Sequence, residues 1–357
     1  MSTMAPSYFA RVAPVSMIFA LGASLSCAVV SCSGGGFDPP SKVASVRVLA
    51  SRVDKPYAAP GDTVNLEVLA FDGRKVQPEP MRISWVPTAC INPRNDAYYG
   101  CFAALGGGGR NGDAGAGDAG GGGMKGGSLP TGVDLTPFLP SGPKLSITLP
   151  VDIIDTHPHV EGAADPYGLA VAFNIACAGH VELLPIDPNN INPQSPPIGC
   201  FDKDHNRLGA DDYVIGFTRV FAYATRTNAN PVIDHVTFAG ATVDPNAGVT
   251  VGLCASGAAC PENSIDVVVP SSSQEPNPGD VDQNGVIQGE QIWVDYFTTD
   301  GSFGSDARLL YDAKSGAVPG TENKYSAPDK AAEGSLWVVV HDNRDGTSWL
   351  QIPLHVQ

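Results

Sequence analysis

Short stretches in which apolar and polar residues alternate make up most of the chain from residue 43 onward. They are rich in β-branched residues and are bounded by Gly, Pro, Asn or Asp, a pattern typical of strands joined by turns. The stretches of the first half are 43–50, 63–71, 82–86, 144–149, 168–175 and 217–223. Those of the second half are 232–238, 264–269, 290–297, 307–311, 334–340 and 348–356. No comparable stretch has a helical period, so the sequence predicts an all-β fold.

The tetrapeptide Asn-Ala-Asn-Pro at residues 228–231 separates the two sets of strands. Short, evenly spaced strands with turn signals between them are typical of β-sandwiches. We therefore expect one sandwich over residues 42–226 and a second over residues 230–357. Trp85 and Trp293 each lie on the third predicted strand of their half. We expect both to pack in a core, with an exposed platform for a sugar as the alternative.

The end of the second half carries a more specific pattern. A Tyr-Ser-Ala-Pro turn at residues 325–328 leads into a Val-rich strand at 336–340, and Asp-Asn-Arg-Asp-Gly follows at 342–346. This combination resembles the closing strands of bacterial immunoglobulin-like and PKD-like domains. The resemblance covers residues 230–357 well and residues 41–225 loosely. It implies two immunoglobulin-like sandwiches and is uninformative about a ligand.

Residues 104–132 interrupt the first set of strands with two runs of four Gly in a tract of Gly, Ala and Asp. Such a composition buries too little apolar area to offset the entropy lost when the chain is ordered. We therefore expect a disordered loop inserted in the first sandwich. A phosphate-binding glycine loop is the alternative, but no Gly-Lys-Ser or Gly-Lys-Thr follows the glycines.

Composition and charge narrow the range of partners. The chain has 21 basic and 37 acidic residues, and its formal net charge is −16. Because an acidic protein is repelled by nucleic acid and by anionic membrane surfaces, we expect neither as a direct partner. Charged residues make up only 16% of the chain, and the 41 Gly and 31 Pro favour short strands with many turns over helices.

The N-terminal residues have the pattern of an export signal. Arg11 is followed by an apolar stretch at residues 12–30, with small residues towards its end. Val, Val and Ser then stand directly before Cys32. This arrangement resembles the lipobox of bacterial lipoproteins.

The lipobox resemblance implies that residues 1–31 are removed as a signal peptide and that the Cys32 thiol is diacylated. Residues 32–41 would then be a flexible linker to a membrane of the bacterial cell envelope. Ser33 after the cysteine favours the outer membrane, with the protein facing the periplasm or the cell surface. A soluble secreted protein, cleaved near Ser31, is the alternative.

The remaining cysteines predict disulfides. Lipidation of Cys32 leaves six cysteines in the mature chain, whereas lipidation of Cys27 would leave seven and an orphan thiol. Six cysteines allow fifteen connectivities, and local pairing is favoured because it closes short loops. The expected pairs are Cys90 with Cys101, Cys177 with Cys200, and Cys254 with Cys260. A zinc site is the alternative, but no Cys-x-x-Cys is present.

One loop has the beginning of a calcium-binding pattern. Residues 280–285, Asp-Val-Asp-Gln-Asn-Gly, place carboxylate and amide oxygens at alternate positions before a Gly, as in the first half of an EF-hand-type loop. No helices flank the loop, so we favour a solvated hairpin. Calcium is the alternative and the one candidate cofactor. Its ligands would be Asp280, Asp282, Asn284 and Glu290. Residues 202–206, Asp-Lys-Asp-His-Asn, are a weaker echo without the Gly.

Catalytic motifs are missing from the sequence. It contains no Gly-x-Ser-x-Gly, no His-Glu-x-x-His, and no Ser-x-x-Lys with its partner motifs. His157 and His159 flank a Pro, and we expect polar surface there rather than a paired imidazole site. The sequence therefore predicts a protein without enzymatic activity, and a catalytic triad of Ser, His and Asp residues brought together only by the fold is the alternative.

Together these patterns predict a membrane-anchored envelope lipoprotein with a non-catalytic binding, adhesion or structural role. Its partners would be the membrane, through the N-terminal lipid, and a protein or glycan that the sequence does not identify. A carbohydrate-binding or hydrolytic envelope protein is the alternative. A groove lined by exposed aromatic side chains and paired carboxylates would favour that alternative.

The lipid anchor is directly testable. Replacing Cys32 with Ala should abolish labelling by a clickable fatty acid and release the protein from membranes, because the acyl chains attach through the Cys32 thiol. Cys27→Ala is the matched control and should label like the wild type. Loss of label in the Cys27 variant, with label kept in the Cys32 variant, would move the anchor to Cys27.

Overall fold

A computed structural model describes the chain over five ranges. These are residues 38–101, 132–158, 165–184, 197–254 and 260–357. The elements described in full are strands and three short 3-10 turns, at Arg94–Asp96, Thr136–Phe138 and Ser271–Ser273. Across those ranges no helix is long and apolar enough to cross a membrane. The prediction of an all-β fold is confirmed.

Several predicted features lie outside the described residues. They are the signal peptide (1–31), the lipidation candidates Cys27 and Cys32, the linker as far as residue 37, the Gly-rich insertion (104–132) except for its last residue, and His159. These features stay predictions.

The first half forms two sheets and a hairpin. Its strands are β1 (Val46–Val53), β2 (Tyr57–Ala58), β3 (Thr63–Asp72), β4 (Arg82–Trp85), β5 (Cys90–Ile91), β6 (Lys144–Thr148), β7 (Tyr167–Cys177), β8 (His180–Leu183), β9 (Ile198–Phe201) and β10 (Tyr213–Tyr223). One sheet has the order β1-β3-β6, and the other has the order β2-β10-β7-β4 with β5 also paired to β7. β8 and β9 form a separate antiparallel hairpin.

The second half forms two larger sheets and a hairpin. Its strands are β11 (His235–Phe238), β12 (Ala241–Thr242), β13 (Val249–Val251), β14 (Glu262–Val268), β15 (Pro276–Val281), β16 (Ile287–Gly289), β17 (Ile292–Thr298), β18 (Ser302–Phe303), β19 (Ala307–Asp312), β20 (Gly316–Ala317), β21 (Asn323–Ser326), β22 (Ala332–Asp342) and β23 (Thr347–Val356). The sheets have the orders β12-β11-β14-β21-β18 and β13-β23-β22-β17-β19-β20, and β15 pairs with β16.

Both halves connect their strands in the same way. In each half the first strand pairs antiparallel with a later strand of the same sheet, β1 with β3 and β11 with β14. A short strand runs parallel to the last strand in the opposite sheet, β2 beside β10 and β13 beside β23. This division of strands between two facing sheets is that of the immunoglobulin fold. The prediction of two immunoglobulin-like sandwiches is confirmed.

Each sandwich has an apolar core supplied by alternate positions of its strands. In the first, Val64, Leu66 and Val68 of β3 pack in one cluster with Trp85 of β4 from the opposite sheet. In the second, Tyr296 of β17 is fully buried in a cluster that draws on both sheets. The period of two along each strand therefore determines which side chains leave water.

Strand β7 is buried on both of its faces. Every residue of the strand after Tyr167 is buried. One face meets the core of the first sandwich, and the opposite face is covered by a third layer that consists of the loop between β5 and Cys101 and of the β8–β9 hairpin. A strand covered on both sides reads as a continuous apolar run, as the sequence of β7 does.

Disulfides fasten this third layer to the first sandwich. Cys90 on β5 is bonded to Cys101, and Cys177 at the end of β7 is bonded to Cys200 on β9. A third bond, Cys254–Cys260, lies in the second half. The three local pairs predicted from the sequence are confirmed. Each bond contributes about 2–4 kcal/mol to stability by restricting the unfolded chain.

A β-bulge in β1 prepares the contact between the two sandwiches. Val48 pairs with Ala70 and Ala50 pairs with Leu69, which leaves Leu49 unpaired between them. A bulge turns a side chain away from the regular alternation of its strand. Leu49 accordingly packs in a cluster outside both sandwich cores.

This cluster, the junction cluster, joins the first sandwich to the second. Leu49 and Phe71 contribute from the first sandwich, and Trp337 and Phe297 contribute from the second. The rings of Phe71 and Trp337 lie 4.7 Å apart, and Trp337 is fully buried. Residues 38–357 consequently form one compact unit rather than two independent sandwiches.

Backbone hydrogen bonds reinforce the junction. Val43 N–H donates to the carbonyl of Thr298 at 2.9 Å, and Thr298 N–H donates to the carbonyl of Ser41 at 2.8 Å. The segment before β1 therefore adds a short strand-like connection to the end of β17.

Trp337 tests the junction cluster. Trp337→Ala should lower the free energy of unfolding by about 3–5 kcal/mol, because it removes a large buried side chain. Trp337→Phe should cost less than Trp337→Ala, because Phe keeps an aromatic ring in the cluster and because Trp337 Nε1 has no hydrogen-bond partner in the described structure. Urea unfolding followed by circular dichroism gives both values. Equal costs for the two variants would contradict a stabilising role for aromatic ring volume in the junction cluster.

Candidate functional site

The third layer contains a group of two imidazoles and one carboxylate, here named the His–Glu–His cluster: His180, Glu182 and His205. His180 and Glu182 occupy alternate positions of β8, so their side chains share one face of the strand. In the β8–β9 hairpin, His180 lies opposite Phe201 and Glu182 lies opposite Gly199. The hairpin therefore presents two of the three side chains by strand geometry alone.

His205 comes from the turn that follows β9. Asp202 Oδ1 accepts the backbone N–H groups of Asp204 at 2.8 Å and Asn206 at 2.9 Å, and His205 N–H donates to the carbonyl of Asp202 at 3.0 Å. The φ of His205 is 61°, in the left-handed region that is uncommon for residues other than Gly. The turn holds this backbone conformation and returns the imidazole to Glu182.

The three side chains converge on a single oxygen atom. Oε1 of Glu182 lies 2.6 Å from Nε2 of His180 and 2.5 Å from Nδ1 of His205. The two imidazole rings are edge to face, with centroids 5.2 Å apart. The Glu182 side chain is 3% exposed, and that of His205 is 59% exposed. The cluster thus has a buried carboxylate and an imidazole open to solvent.

The charge of Glu182 is stabilised inside the layer. Burial opposes ionisation of this carboxyl, but its hydrogen bonds with His205 and His180 outweigh burial and hold the pKa of Glu182 below its ordinary value. Glu182 is therefore a carboxylate at neutral pH. Its negative charge is placed where a cation would meet two nitrogen donors.

The frame around the cluster is tightly constrained. A Cβ at Gly179 would lie 2.2 Å from the carbonyl oxygen of Phe201, so only Gly allows β8 to start this close to β9. The Cys177–Cys200 disulfide closes the same hairpin, with Cys200 directly opposite Val181. The chain therefore holds β8 and β9 together both covalently and by close packing.

Patterns in the sequence did not predict this cluster. Residues 202–206 stood out only as a weak calcium pattern, and no motif assigned a role to His180 or Glu182. The available signal was a His-x-Glu alternation between Cys177 and Cys200, with a His shortly after the second cysteine. That signal becomes specific only once the disulfide shows that the two segments meet.

The loop at residues 280–285, the calcium candidate, forms a hairpin whose turn is held by hydrogen bonds to the carboxylate of Asp282. Asp282 Oδ1 accepts the backbone N–H groups of Asn284 and Val286, both at 2.8 Å. Asp280 lies on β15 and Asn284 lies in the turn between β15 and β16. Among the described residues, the His–Glu–His cluster is the one group of three His, Cys, Asp or Glu side chains with donor atoms within 4.8 Å of one another. The solvated hairpin stays the prediction for this loop, with calcium binding as its alternative.

Glu290, the fourth calcium candidate, is engaged in a buried ion pair. Its Oε1 accepts a hydrogen bond from Arg344 Nε, and its Oε2 accepts the Glu275 N–H at 3.0 Å. Burial raises the pKa of Glu290 to about 7, and the nearby Asp342 adds to the shift while Arg344 opposes it. The structure thus gives both carboxylate oxygens of Glu290 partners within the protein.

The guanidinium of Arg344 also reaches the first sandwich. It donates to the carbonyl of Thr227 at 3.3 Å and lies over the ring of Tyr57, 5.6 Å from its centroid. Arg344 therefore connects Glu290 in the second sandwich to the end of the first, as a polar complement to the junction cluster.

The two predicted core tryptophans have different surroundings. Trp85 is fully buried, as predicted, and its Nε1 donates to the carbonyl of Gly142 at 2.9 Å. The core assignment of Trp293 is wrong. It is half-buried on the outer face of its sheet and stacks on His341, with ring centroids 5.3 Å apart. The alternation of β17 directs Tyr296 to the core instead.

The expectation of polar surface at His157 is also wrong. His157 is 6% exposed, and its Nε2 lies 2.8 Å from Oδ1 of Asp96. Tyr167 donates a hydrogen bond to the other oxygen of Asp96. The three side chains satisfy one another beside the third layer.

A groove of about 940 Å³ runs between the segment before β1 and the strand β10. Its lining includes Tyr98 and Phe217, each 38% exposed. Their rings are stacked 4.5 Å apart with an interplanar angle of 16°. Asp38 and Asp211 are the carboxylates along the lining. Because the two rings cover one face of each other, the groove presents part of their apolar surface together with these two acids.

The pKa of Glu290 predicts a pH dependence. A folded-state pKa raised to about 7 means that the folded protein holds this proton more tightly than the unfolded chain does. The contribution of the Glu290 proton to the free energy of unfolding is complete below the ordinary carboxyl pKa, and it is lost as the pH rises through about 7. The melting temperature of the wild type minus that of Glu290→Gln should therefore fall over this interval.

The exposed Glu333 supplies the control, because Glu333→Gln removes a carboxyl that is 79% exposed and should give no such trend. If the melting temperature of the wild type minus that of Glu290→Gln instead rose with pH, Arg344 would be keeping Glu290 ionised.

Known proteins offer little guidance to this chain. No family model and no curated protein matches it. Among solved structures, it is similar to the three N-terminal domains of the bacteriophage RB49 Highly Immunogenic Outer Capsid protein (Hoc), at 10% identity and a TM-score of 0.18 over 88% of this chain and 99% of that chain. A likeness this low supports no functional statement.

Proposed function

We propose that the protein is a bacterial envelope lipoprotein with a non-catalytic binding, adhesion or structural role, anchored through Cys32. The lipobox-like residues before Cys32 support the anchor. The three disulfides support export, because such bonds persist in oxidising compartments. The absence of catalytic motifs from the sequence leaves binding or scaffolding as the simplest role.

The observation that carries this proposal is the junction cluster. Leu49, Phe71 and Trp337 bury apolar surface between the sandwiches. Immunoglobulin-like domains connected only by a linker reorient freely, whereas a buried junction keeps both in one orientation. A rigid pair presents a preorganised surface, which lowers the entropy lost when a partner binds.

A partner that is a protein fits the charge of the chain. The formal net charge of −16 favours a partner or surface that carries basic groups. Direct binding of nucleic acid is disfavoured for the same electrostatic reason.

Glycan binding is the second candidate, and the groove beside β10 favours it. The exposed Tyr98 and Phe217 offer apolar ring surface along a concave face. Hydrolysis of a glycan would require Asp38 and Asp211, the two acids on the lining, to lie on either side of the glycosidic bond.

A sedimentation experiment separates these roles. The chain from residue 33 onward, secreted without its lipid, should co-sediment with isolated bacterial envelopes. If the partner is a protein, protease treatment of the envelopes should abolish binding and periodate oxidation of glycans should leave it intact. If periodate oxidation abolished binding, protease treatment left it intact, and Phe217→Ser lost binding, the glycan alternative would be established. Val76→Ser, at a side chain that is 78% exposed, is the matched control.

Two outcomes would overturn the proposal of a non-catalytic envelope role. One is the absence of binding to any envelope preparation. The other is release of soluble fragments from envelope polysaccharide or protein by the wild-type chain.

A further inference from the structure

We infer that the His–Glu–His cluster binds one divalent transition-metal ion, with Zn²⁺ as the best fit. This site is distinct from the calcium loop and from the aromatic groove. It does not depend on the proposed envelope role, because it rests on the geometry of His180, Glu182 and His205 alone.

The donor atoms select the class of metal. Two imidazole nitrogens and one carboxylate oxygen are ligands that suit Zn²⁺, Cu²⁺ and Fe²⁺. Ca²⁺ and Mg²⁺ prefer oxygen donors throughout, so a site with two imidazoles disfavours both. Of the other metals, Zn²⁺ tolerates the irregular geometry of a surface hairpin best, because it has no geometric preference from its d electrons.

The positions of the donor atoms are close to those that a metal requires. All three lie within 4.8 Å of one another. In a tetrahedral zinc site with bonds of about 2.0–2.2 Å, ligand atoms are separated by about 3.3 Å. The present contacts of 2.6 Å and 2.5 Å to Glu182 Oε1 would therefore lengthen by less than about 1 Å. Rotation of the His205 imidazole, which is 59% exposed, accommodates that change.

The frame is preorganised for this purpose. β8 presents His180 and Glu182 on one face, and the Cys177–Cys200 disulfide holds the strand opposite. His205 keeps a left-handed backbone with a φ of 61° in a turn closed by Asp202. The same Asp-closed turn places Gly285 and Asp345 in the left-handed region, so the turn itself fixes the backbone that carries the His205 imidazole.

Other histidine–carboxylate contacts in the described structure lack this convergence. His355 meets Glu333 and His235 meets Asp234, each as a single pair at the surface. Within the described ranges, Glu182 alone has a buried carboxylate oxygen that meets two imidazoles. With three protein ligands, a fourth coordination position remains for water or for a donor atom of a partner.

Zinc titration of the disulfide-bonded chain tests the inference. The chain from residue 33 onward, purified without a histidine tag, should bind one Zn²⁺ per molecule by isothermal titration calorimetry. Its melting temperature should rise with Zn²⁺ and return with a chelator, because a ligand bound to the folded state stabilises it. Co²⁺ substitution should give visible absorption bands typical of nitrogen and oxygen ligands.

Variants assign the binding to the cluster. His205→Asn should weaken Zn²⁺ binding by at least about tenfold, and it should fold, because Asn tolerates the left-handed backbone and the imidazole is largely exposed. Glu182→Gln keeps the shape of the buried side chain and should have the same effect. His355→Asn is the matched control and should bind within about twofold of the wild type.

Three outcomes would overturn the assignment. They are no binding of Zn²⁺ by the folded wild type, equal affinity in His205→Asn and wild type, and loss of binding in His355→Asn. Ca²⁺ should not compete for the site, and calcium binding that disappears in Asp282→Ala would belong to the separate loop. Cluster side chains that only hydrogen-bond to one another would give the first outcome.

Discussion

The burial of β7 on both faces is the constraint on which the first half of the protein depends. One face completes an immunoglobulin-like core around Trp85. The other face exposes an apolar surface that a two-layer sandwich cannot cover, and the third layer exists to cover it. Because that layer is made of short segments with little core of their own, disulfides fasten it to β5 and β7. The His–Glu–His cluster is a consequence of how this cover is closed.

The contact between the sandwiches follows a similar logic. An outer sheet face is normally polar, yet Trp337 and Phe297 place aromatic rings on the outside of the second sandwich. The bulge at Leu49 directs an apolar side chain of the first sandwich towards them. Arg344 and Glu290 add a buried polar connection nearby. The result is a rigid pair, which suits a role in presenting a surface better than a role that needs domain movement.

Strand content, the local disulfides and the position of Trp85 could all be predicted from the sequence, because each depends on residues that are close together along the chain. Trp293 could not. Large aromatic residues lie on both faces of its strand, Trp293 and Phe297 on one and Tyr296 on the other, and the position of Trp293 on the third predicted strand favoured the wrong face. Tyr296, on the opposite face of β17 from Trp293, fills the core. Which of the two faces packs inward is decided only when the sheets come together.

The same distinction separates the two candidate metal sites. The loop at residues 280–285 was visible in the sequence because all of its donors are local, and its role stays a prediction. The His–Glu–His cluster was invisible because His205 is 23 residues from Glu182 and meets it only across the closed hairpin. By itself the sequence determined the all-β class, the two sandwiches and the disulfide pairs through periodicity and short spacing. The tertiary structure alone decided which faces are covered and which polar groups meet, since packing between distant segments has no local signal.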